Sequence, residues 1–186
     1  MTAQTRRIRE LIKEQIISIK DKVDAIFLGY AFCQSLKEIE SEFDIPIVMP
    51  EMDDCIQILM PPQKYASEIR KEVGTWFMTP GWAEGGAEMV IKELHADRVI
   101  KYGKDPLEVV KRLFVHYRGV LYVDTGVGGD GVLINKATEF CRTFGLKLDK
   151  TEGTLSVLEQ HLQTAREIAA KIKRPFHESH CKSKVD

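Results

Sequence analysis

The sequence predicts an α/β fold with a mostly parallel, open sheet and helices on both faces, a three-layer arrangement of the Rossmann-like or flavodoxin-like kind. Short apolar runs typical of strands alternate with amphipathic helical segments along the chain, and each run leads through a turn into a helix. The length of 186 residues, with 44% hydrophobic residues, suits one domain with a sizeable core. We expect this domain over residues 1–172 and a flexible tail over residues 173–186.

An N-terminal helix and two strand-to-helix units are predicted in the first part of the chain. Apolar residues from Ile8 to Val23 recur at helical spacing, with charged residues between them. Pro61 and Pro62 interrupt a later helical stretch. In order, the predicted elements are a helix over 8–23, a strand over 24–32, a helix over 35–43, a strand over 45–50, and helices over 56–60 and 63–73.

The second part continues the alternation. Residues 83–95 have helical character despite Gly85 and Gly86, and a polar connection leads from there to a helix that begins at Pro106. The remaining predictions are a strand over 75–79, a strand over 119–125, a helix over 133–144, a short strand over 146–148 and a final helix over 155–172.

Charge and hydropathy give no reason to predict a nucleic-acid-binding protein or a membrane-spanning protein. The 27 Lys and Arg residues nearly balance the 28 Asp and Glu residues, so overall charge gives no reason to expect a nucleic-acid partner. No apolar stretch approaches the roughly 20 residues of a membrane-spanning helix, and the N-terminus has no signal-peptide core. We therefore expect a cytoplasmic protein whose four cysteines are thiols or metal ligands.

Two cysteines are the first candidates for a functional site. Cys33 and Cys55 each follow a predicted strand, and the carboxyl ends of parallel strands meet at the edge where open sheets bind ligands. A helix N-terminus favours the thiolate of Cys33, although the residue equally suits a packed core position. Asp53 and Asp54 would cap the following helix and raise the pKa of Cys55, which favours ligation to a cation over nucleophilic attack.

Other features weigh less in the prediction of a site. Neither candidate cysteine belongs to a CxxC pair, and Cys141 falls on the apolar stripe of its helix, where a core role is favoured. His177, His180 and Cys181 offer three ligand types in the basic terminal tail, where a disordered end is the favoured interpretation.

Two segments at the same predicted edge complete the candidate site. The glycine-rich segment 126–131 could bring amides close to an anion, but it matches neither common phosphate motif, so a lid or a tight strand-to-helix crossing is slightly favoured. Trp82 follows the turn Pro80-Gly81, where its indole would either stack on a flat ligand or cover the end of the sheet.

Four short motifs carry a family resemblance: LGYAFC at 28–33, DDCIQILM at 53–60, TPGW at 79–82 and LYVDTG at 121–126. In their order and spacing they resemble the prokaryotic domain of unknown function 1638 family, whose members often occur beside corrinoid-dependent methyl-transfer proteins in anaerobes. The resemblance implies a role in anaerobic one-carbon metabolism. The matching functional positions are Tyr30, Cys33, Asp54, Cys55 and Trp82.

The chain departs from the family pattern at three places. A further cysteine in an N-terminal strand, common in the family, has no counterpart here, so a site of three cysteines is not expected. Ala31-Phe32 replaces the usual Gly-Leu, and Pro61-Pro62 replaces a segment of small residues. Both changes would alter how closely the backbone approaches a ligand.

The leading prediction is a small enzyme or accessory protein that binds a metal (zinc or iron, or an iron-sulfur cluster) or a corrinoid. Cys33 and Cys55 would be the metal ligands, and the other cofactor-binding candidates are Tyr30, Asp54, Trp82, Gly128 and Gly129. A corrinoid protein or methyltransferase is the expected partner, and a homo-oligomer is also open. The alternatives are a metal-free cysteine enzyme with Cys33 as nucleophile, and a docking module that binds a methyltransferase through Ile8, Leu11 and Ile12.

Overall fold

The computed structural model describes residues 3–31, 36–52, 54–129 and 131–172. All strand pairings within these ranges are parallel, and helices separate most of the strands along the chain, so the predicted α/β class is confirmed. The elements are α1 Ala3–Ile19, β1 Ile26–Phe27, β2 Ile47–Val48, α2 Cys55–Leu59, α3 Pro62–Lys71, β3 Thr75–Met78, α4 Pro80–Glu93, α5 Pro106–Phe114, β4 Gly119–Asp124, α6 Val132–Phe144, β5 Lys147–Glu152 and α7 Ser156–Lys171, with 3₁₀ segments at Ile39–Glu42 and Ala96–Tyr102.

The chain divides into two compact units. The first unit comprises residues 1–51 and 158–186, and the second comprises residues 52–157. In the described ranges, β1 and β2 form one sheet, while β3, β4 and β5 form another with β4 at its centre. The extent of a single domain over residues 1–172 stays a prediction, and the predicted tail lies outside the described residues.

The first unit has a small apolar core, and two ion pairs lie beside it. Its buried residues are Ile16, Ile26, Leu36, Ile39 and Ile45. Arg9 and Lys13 of α1 both pair with Glu42, and Arg9 also donates a 3.1 Å hydrogen bond to the carbonyl oxygen of Lys37. The hydrogen bond from Lys13, followed by that from Arg9, lowers the pKa of Glu42. These contacts hold α1 against the segment that follows β1.

The helix predicted over residues 35–43 is shorter than expected. A 3₁₀ turn spans Ile39–Glu42, directly after Glu38, whose φ of 59° lies in the left-handed region. That conformation prevents a regular α-helix from running through Glu38. Burial of Leu36 and Ile39 explains the helix-like apolar spacing that the sequence shows here.

The second unit is built around β4, which is buried on both faces. Val120 and Tyr122 pack with α4, α5 and α6, whereas Leu121 and Val123 pack with α2 and α3. Alternate residues of a strand point to opposite faces, so this short apolar run supplies two separate cores. Cys141 of α6 lies in the first of these cores, where burial raises the pKa of its thiol to about 11. The predicted core role of Cys141 is confirmed.

Helices α4 and α5 cover one face of this sheet together with an unpredicted 3₁₀ segment. Gly86 interrupts the backbone of α4 with a φ of 56°. The predicted polar connection after residue 95 contains the 3₁₀ segment Ala96–Tyr102, in which Ala96 is buried. Among the described residues, no helix is long and apolar enough to cross a membrane.

Candidate functional site at the carboxyl edge of the three-stranded sheet

Backbone hydrogen bonds join α2 to the carboxyl ends of β4 and β5. The amide of Gly153 donates to the carbonyl oxygen of Asp124 at 2.7 Å, and the amide of Thr154 donates to the carbonyl oxygen of Leu59 at 2.8 Å. A Cβ atom on Gly153 would lie 2.9 Å from the carbonyl oxygen of Leu59, so the junction requires glycine. The carboxyl edge of the three-stranded sheet thus carries α2, the helix that begins with Cys55. The prediction placed Cys55 at the edge of one sheet that includes the strands over 24–32 and 45–50, whereas those strands form a separate two-stranded sheet.

Asp54 is held by two hydrogen bonds at the start of α2. Its Oδ1 accepts from the amide of Ile56 at 2.8 Å, as expected of an N-cap residue, and its Oδ2 accepts from the hydroxyl of Tyr65 at 2.5 Å. The ring of Tyr65 lies 5.4 Å from that of Phe77 in β3. The predicted capping role of Asp54 is confirmed, and α3 fixes its carboxylate relative to the sheet; Asp53 lies outside the described residues.

Cys55 is a free cysteine at the first position of α2 and is exposed as a residue. Partial burial of its thiol, followed by the negative charge of Asp54, raises its pKa. Hydrogen bonds from the backbone amides of Cys55 and Ile56 lower this pKa, but burial and Asp54 together raise it by more. Cys55 therefore carries a protonated thiol at neutral pH, as the neighbouring acids led us to expect, although burial is the larger cause.

Trp82 lies in the first turn of α4, where its amide donates a 3.5 Å hydrogen bond to Oγ1 of Thr79. Its indole packs edge-to-face on Trp76 with ring centroids 5.6 Å apart, and it is half-buried against the core. These contacts agree with the alternative in which Trp82 covers the end of the sheet. Stacking of Trp82 on a ligand stays a prediction.

The glycine-rich segment after β4 borders a cleft of about 200 Å³. Gly128, with a φ of 91°, packs so closely on Leu133 that an added Cβ would lie 2.2 Å from Leu133 Cδ1. Gly131 is the N-cap residue of α6 and offers no side chain to cap its first turn. Gly128 and Gly129 thus line a concave surface beside a helix N-terminus, while their contact with a cofactor stays a prediction.

Three polar residues of this cleft were missed by sequence reasoning. Asp124 ends β4, and Lys150 and Tyr122 are partners in the register of β4 and β5. Lys150 Nζ lies 2.7 Å from Asp124 Oδ2, and Asp124 Oδ1 accepts from the amide of Gly126 at 2.9 Å. The position of Asp124 at the end of an apolar strand was the available signal; the pairing with Lys150 depends on register.

Several predicted positions are not brought into this site by the described structure. Tyr30 belongs to the first unit, where it is 53% exposed, and its cofactor role stays a prediction. Cys33, His177, His180 and Cys181 lie outside the described residues.

A larger cleft of about 740 Å³ lies towards the amino ends of β4 and β5, and its lining includes Lys71, Arg118 and Lys147.

The donor set around Cys55 in the described residues is smaller than that of a metal centre. Within the described ranges, no group of three or more His, Cys, Asp or Glu residues is placed to hold a metal ion. The carboxylate of Asp54 is held by one hydrogen bond to each of its oxygens, and the thiol of Cys55 lies beside it. A metal centre that includes Cys55 therefore needs further ligands from beyond the described residues or from a cofactor.

A match to one family model identifies the family of the chain. No curated protein and no solved structure gives a significant match to the sequence. The model of a family described as Protein of unknown function (DUF1638) matches residues 3–162. Because this match covers most of the chain, including the segments that hold Asp54, Cys55, Trp82 and the glycine-rich loop, the protein belongs to the DUF1638 family.

Proposed function

We propose that the protein binds a metal ion or a metal-containing cofactor through Cys55 at the carboxyl edge of the three-stranded sheet. The observation that carries the proposal is the free, partly buried thiol of Cys55 at the start of α2, beside a carboxylate held in place by Tyr65. Cys33, outside the described residues, is the second proposed thiol ligand. Trp82 would form a wall for the cofactor, and Gly128 and Gly129 would cover it.

The electrostatics around Cys55 support a ligand rather than a nucleophile. A raised pKa keeps the thiol protonated at neutral pH, so the thiolate needed for attack is scarce. A metal ion displaces the thiol proton when it binds, and the negative charge of Asp54 then favours the cation. Thiolate ligands suit zinc, iron and iron-sulfur clusters.

The metabolic part of the proposal depends on the family. We place the protein in the cytoplasm of an anaerobe, as an accessory protein or small enzyme of one-carbon metabolism, with a corrinoid protein or methyltransferase as partner. Corrinoid is then the alternative to zinc or iron as the bound group. The chain's own contribution is the thiol ligand, its positioning by Asp54 and the shielding indole of Trp82.

Elemental analysis and the visible spectrum of protein purified without oxygen test the proposal. The wild type is compared with Cys33→Ser, Cys55→Ser and the double variant, and Cys141→Ala is the matched control because Cys141 is buried in a separate core. We expect stoichiometric metal in the wild type and the control, and its loss in the double variant. Metal-free wild type after anaerobic reconstitution would contradict the proposal, as would full occupancy in the double variant.

One observation also supports the docking alternative. Ile8 and Leu11 of α1 are 41% and 50% exposed, whereas Ile12 packs against the core of the first unit. An exposed apolar pair on a helix is suited to an apolar partner surface. Co-sedimentation with a corrinoid methyltransferase should be lost when both residues are changed to Ser and retained in Cys55→Ser; the reverse pattern would reject docking through α1.

A further inference from the structure

Strand β5 forms an outer edge of the three-stranded sheet. It pairs with β4 over its six residues, Lys147–Glu152, and no other strand in the described part of the chain pairs with it. The N–H and C=O groups of an edge strand that point away from its sheet are available to pair with another strand. The outer side of β5 is therefore a surface on which a further strand can be added.

Two contacts identify which backbone groups of β5 point outwards. A Cβ atom added to Gly119 of β4 would lie 3.2 Å from the carbonyl oxygen of Lys147, so this oxygen faces β4. The amide of Gly153, six positions further along, also donates to the end of β4. The direction of the backbone groups alternates from one residue of a strand to the next. Leu148 and Lys150 therefore direct their N–H and C=O groups outwards.

The side chains of Lys147 and Asp149 lie on one face of the sheet, and both are exposed. Neither forms an ion pair with a residue in the described ranges. Both border the cleft of about 740 Å³, so there is open space beside them on this face. The edge strand thus carries a cation and an anion, two residues apart, that have room for partners.

A second copy of β5 fits this edge in a small number of registers. A two-fold axis normal to the sheet pairs the two copies antiparallel and keeps equivalent faces together, so each register is centred on one residue opposite its own copy. Like charges directly opposite each other are destabilising. Four of the six residues of β5 would oppose an identical charge if placed at the centre: Lys147, Asp149, Lys150 and Glu152. Leu148 and Thr151 remain as possible centres.

Contacts within the chain disfavour the register centred on Thr151. That register would place Lys150 opposite Glu152 of the second copy. However, Lys150 Nζ already lies 2.7 Å from Asp124, and the carbonyl oxygen of Glu152, which the new ladder needs, accepts from Lys64 Nζ at 3.3 Å. The remaining register places opposite each other only charges that form no ion pair within the described ranges.

We propose that two copies of the chain associate through β5 in an antiparallel pair centred on Leu148, which joins two three-stranded sheets into one of six strands. Leu148 exchanges both backbone hydrogen bonds with its own copy, and the amide of Lys150 donates to the carbonyl oxygen of Leu146. Lys147 lies opposite Asp149 of the second copy, and symmetry repeats this ion pair. The same surface of each copy forms the interface, as a two-fold dimer requires.

Sedimentation equilibrium of the full-length protein over a range of concentrations tests the proposal by charge exchange. Lys147→Glu and Asp149→Lys each replace both ion pairs by pairs of like charge, whereas the variant with both changes restores two pairs of opposite charge. Lys104→Glu is the control, because Lys104 is an exposed lysine outside the sheet. Cys55→Ser separates the dimer from the proposed metal site, in which β5 takes no part.

We expect a dimer in the wild type, with affinity weakened about tenfold in each single variant and regained in the variant with both changes. Lys104→Glu and Cys55→Ser should associate as the wild type does. A wild type that stays monomeric at every concentration would overturn the inference. A variant with both changes that does not regain affinity, or equal weakening in Lys104→Glu, would overturn it as well.

Disulfide formation tests the register without altering any charge. In the proposed pair the Cα atoms of Leu148 and its copy are about 5.5 Å apart, a separation that a disulfide spans. After mild oxidation, Leu148→Cys should give a cross-linked dimer that a reducing agent separates, whereas Thr151→Cys and the wild type should not. Cross-linking of Thr151→Cys in place of Leu148→Cys would overturn the register, and equal cross-linking of the wild type would show that another cysteine forms the bridge and overturn the inference.

Discussion

The hydroxyl of Tyr65 donates a 2.5 Å hydrogen bond to Oδ2 of Asp54, and this contact fastens α3 to the first turn of α2. Desolvation, followed by the hydrogen bond to Asp54, raises the pKa of Tyr65 to about 12. The same carboxylate caps α2 and raises the pKa of the adjacent Cys55. One acidic side chain thus caps the helix that carries the thiol and adds to the burial that keeps the thiol protonated.

Tyr65→Phe should destabilise the protein, and the effect should depend on pH in the alkaline range. The folded-state pKa of about 12 exceeds the ordinary value of 10.0, so the contact stabilises the fold fully below pH 10 and this stabilisation is lost as the pH rises through 12. We expect a loss of about 1 kcal/mol at neutral pH. Denaturant unfolding of both proteins across that range measures it.

Tyr102→Phe is the control for this variant. Tyr102 is 70% exposed, and its change removes a hydroxyl that makes no contact with Asp54. Equal losses of stability in the two variants at neutral pH would show that the hydrogen bond between Tyr65 and Asp54 contributes nothing specific.

Asp54→Asn should make Cys55 more reactive. Asparagine caps a helix as well as aspartate does, so α2 is retained while the charge that raises the Cys55 pKa is removed. Alkylation of Cys55, followed by mass spectrometry of its peptide, should become faster at neutral pH. Asp54→Ala adds the loss of the cap, about 1 kcal/mol of stability.

Cys141 provides the internal control for alkylation in both Asp54 variants. It is buried in another core, so its labelling should stay slow in wild type and Asp54→Asn alike. A Cys55 rate that does not change in Asp54→Asn would show that burial alone raises its pKa.

Gly128→Ala should strongly destabilise the loop between β4 and α6. The φ of 91° disfavours any other residue, and the new Cβ would lie 2.2 Å from Leu133 Cδ1. We expect a loss of about 2 kcal/mol, measured by thermal or denaturant unfolding. Gly103→Ala is the matched control, because its φ is 67° but it has open space at the Cβ position. Equal losses would mean that Leu133 moves aside without cost.

Two acidic residues should make the stability of the fold sensitive to acid. Lys150 and the Gly126 amide lower the pKa of Asp124 below its ordinary value of 3.8, and Lys13 and Arg9 lower that of Glu42 below 4.5. The stabilisation is present above the ordinary values and is lost as the pH falls through the lower folded-state values.

Stability curves of Asp124→Asn and Glu42→Gln, measured from neutral to acidic pH, test this dependence. Each variant should be less stable than the wild type at neutral pH, and the difference should shrink as the pH falls below the ordinary value. High salt should also reduce the difference, because both pairs are near the surface. A difference that stays constant with pH would show that the ion pairs do not stabilise the fold.

Much of the fold could be predicted from local patterns. Each of the five strands overlaps a predicted run, and buried parallel strands such as Gly119–Asp124 are continuous apolar segments that local sequence shows directly. The strand β5 extends to Glu152, beyond the predicted 146–148, because its exposed polar residues give no apolar pattern. The capping role of Asp54 was also predictable, because an N-cap hydrogen bond joins residues only two positions apart in the chain. The 3₁₀ turn at Ile39–Glu42 could not be predicted, because the left-handed conformation of Glu38 does not change the spacing of apolar residues in the sequence.

The sequence by itself determined the order of helices and strands, the parallel class of sheet, the core role of Cys141 and the capping of α2 by Asp54. Only the tertiary structure decided which distant groups meet: Tyr65 on Asp54, and Lys150 beside Asp124 and Tyr122. Periodicity records the burial of each residue along its own element, whereas the register between strands and the packing of α3 depend on contacts between segments far apart in the chain.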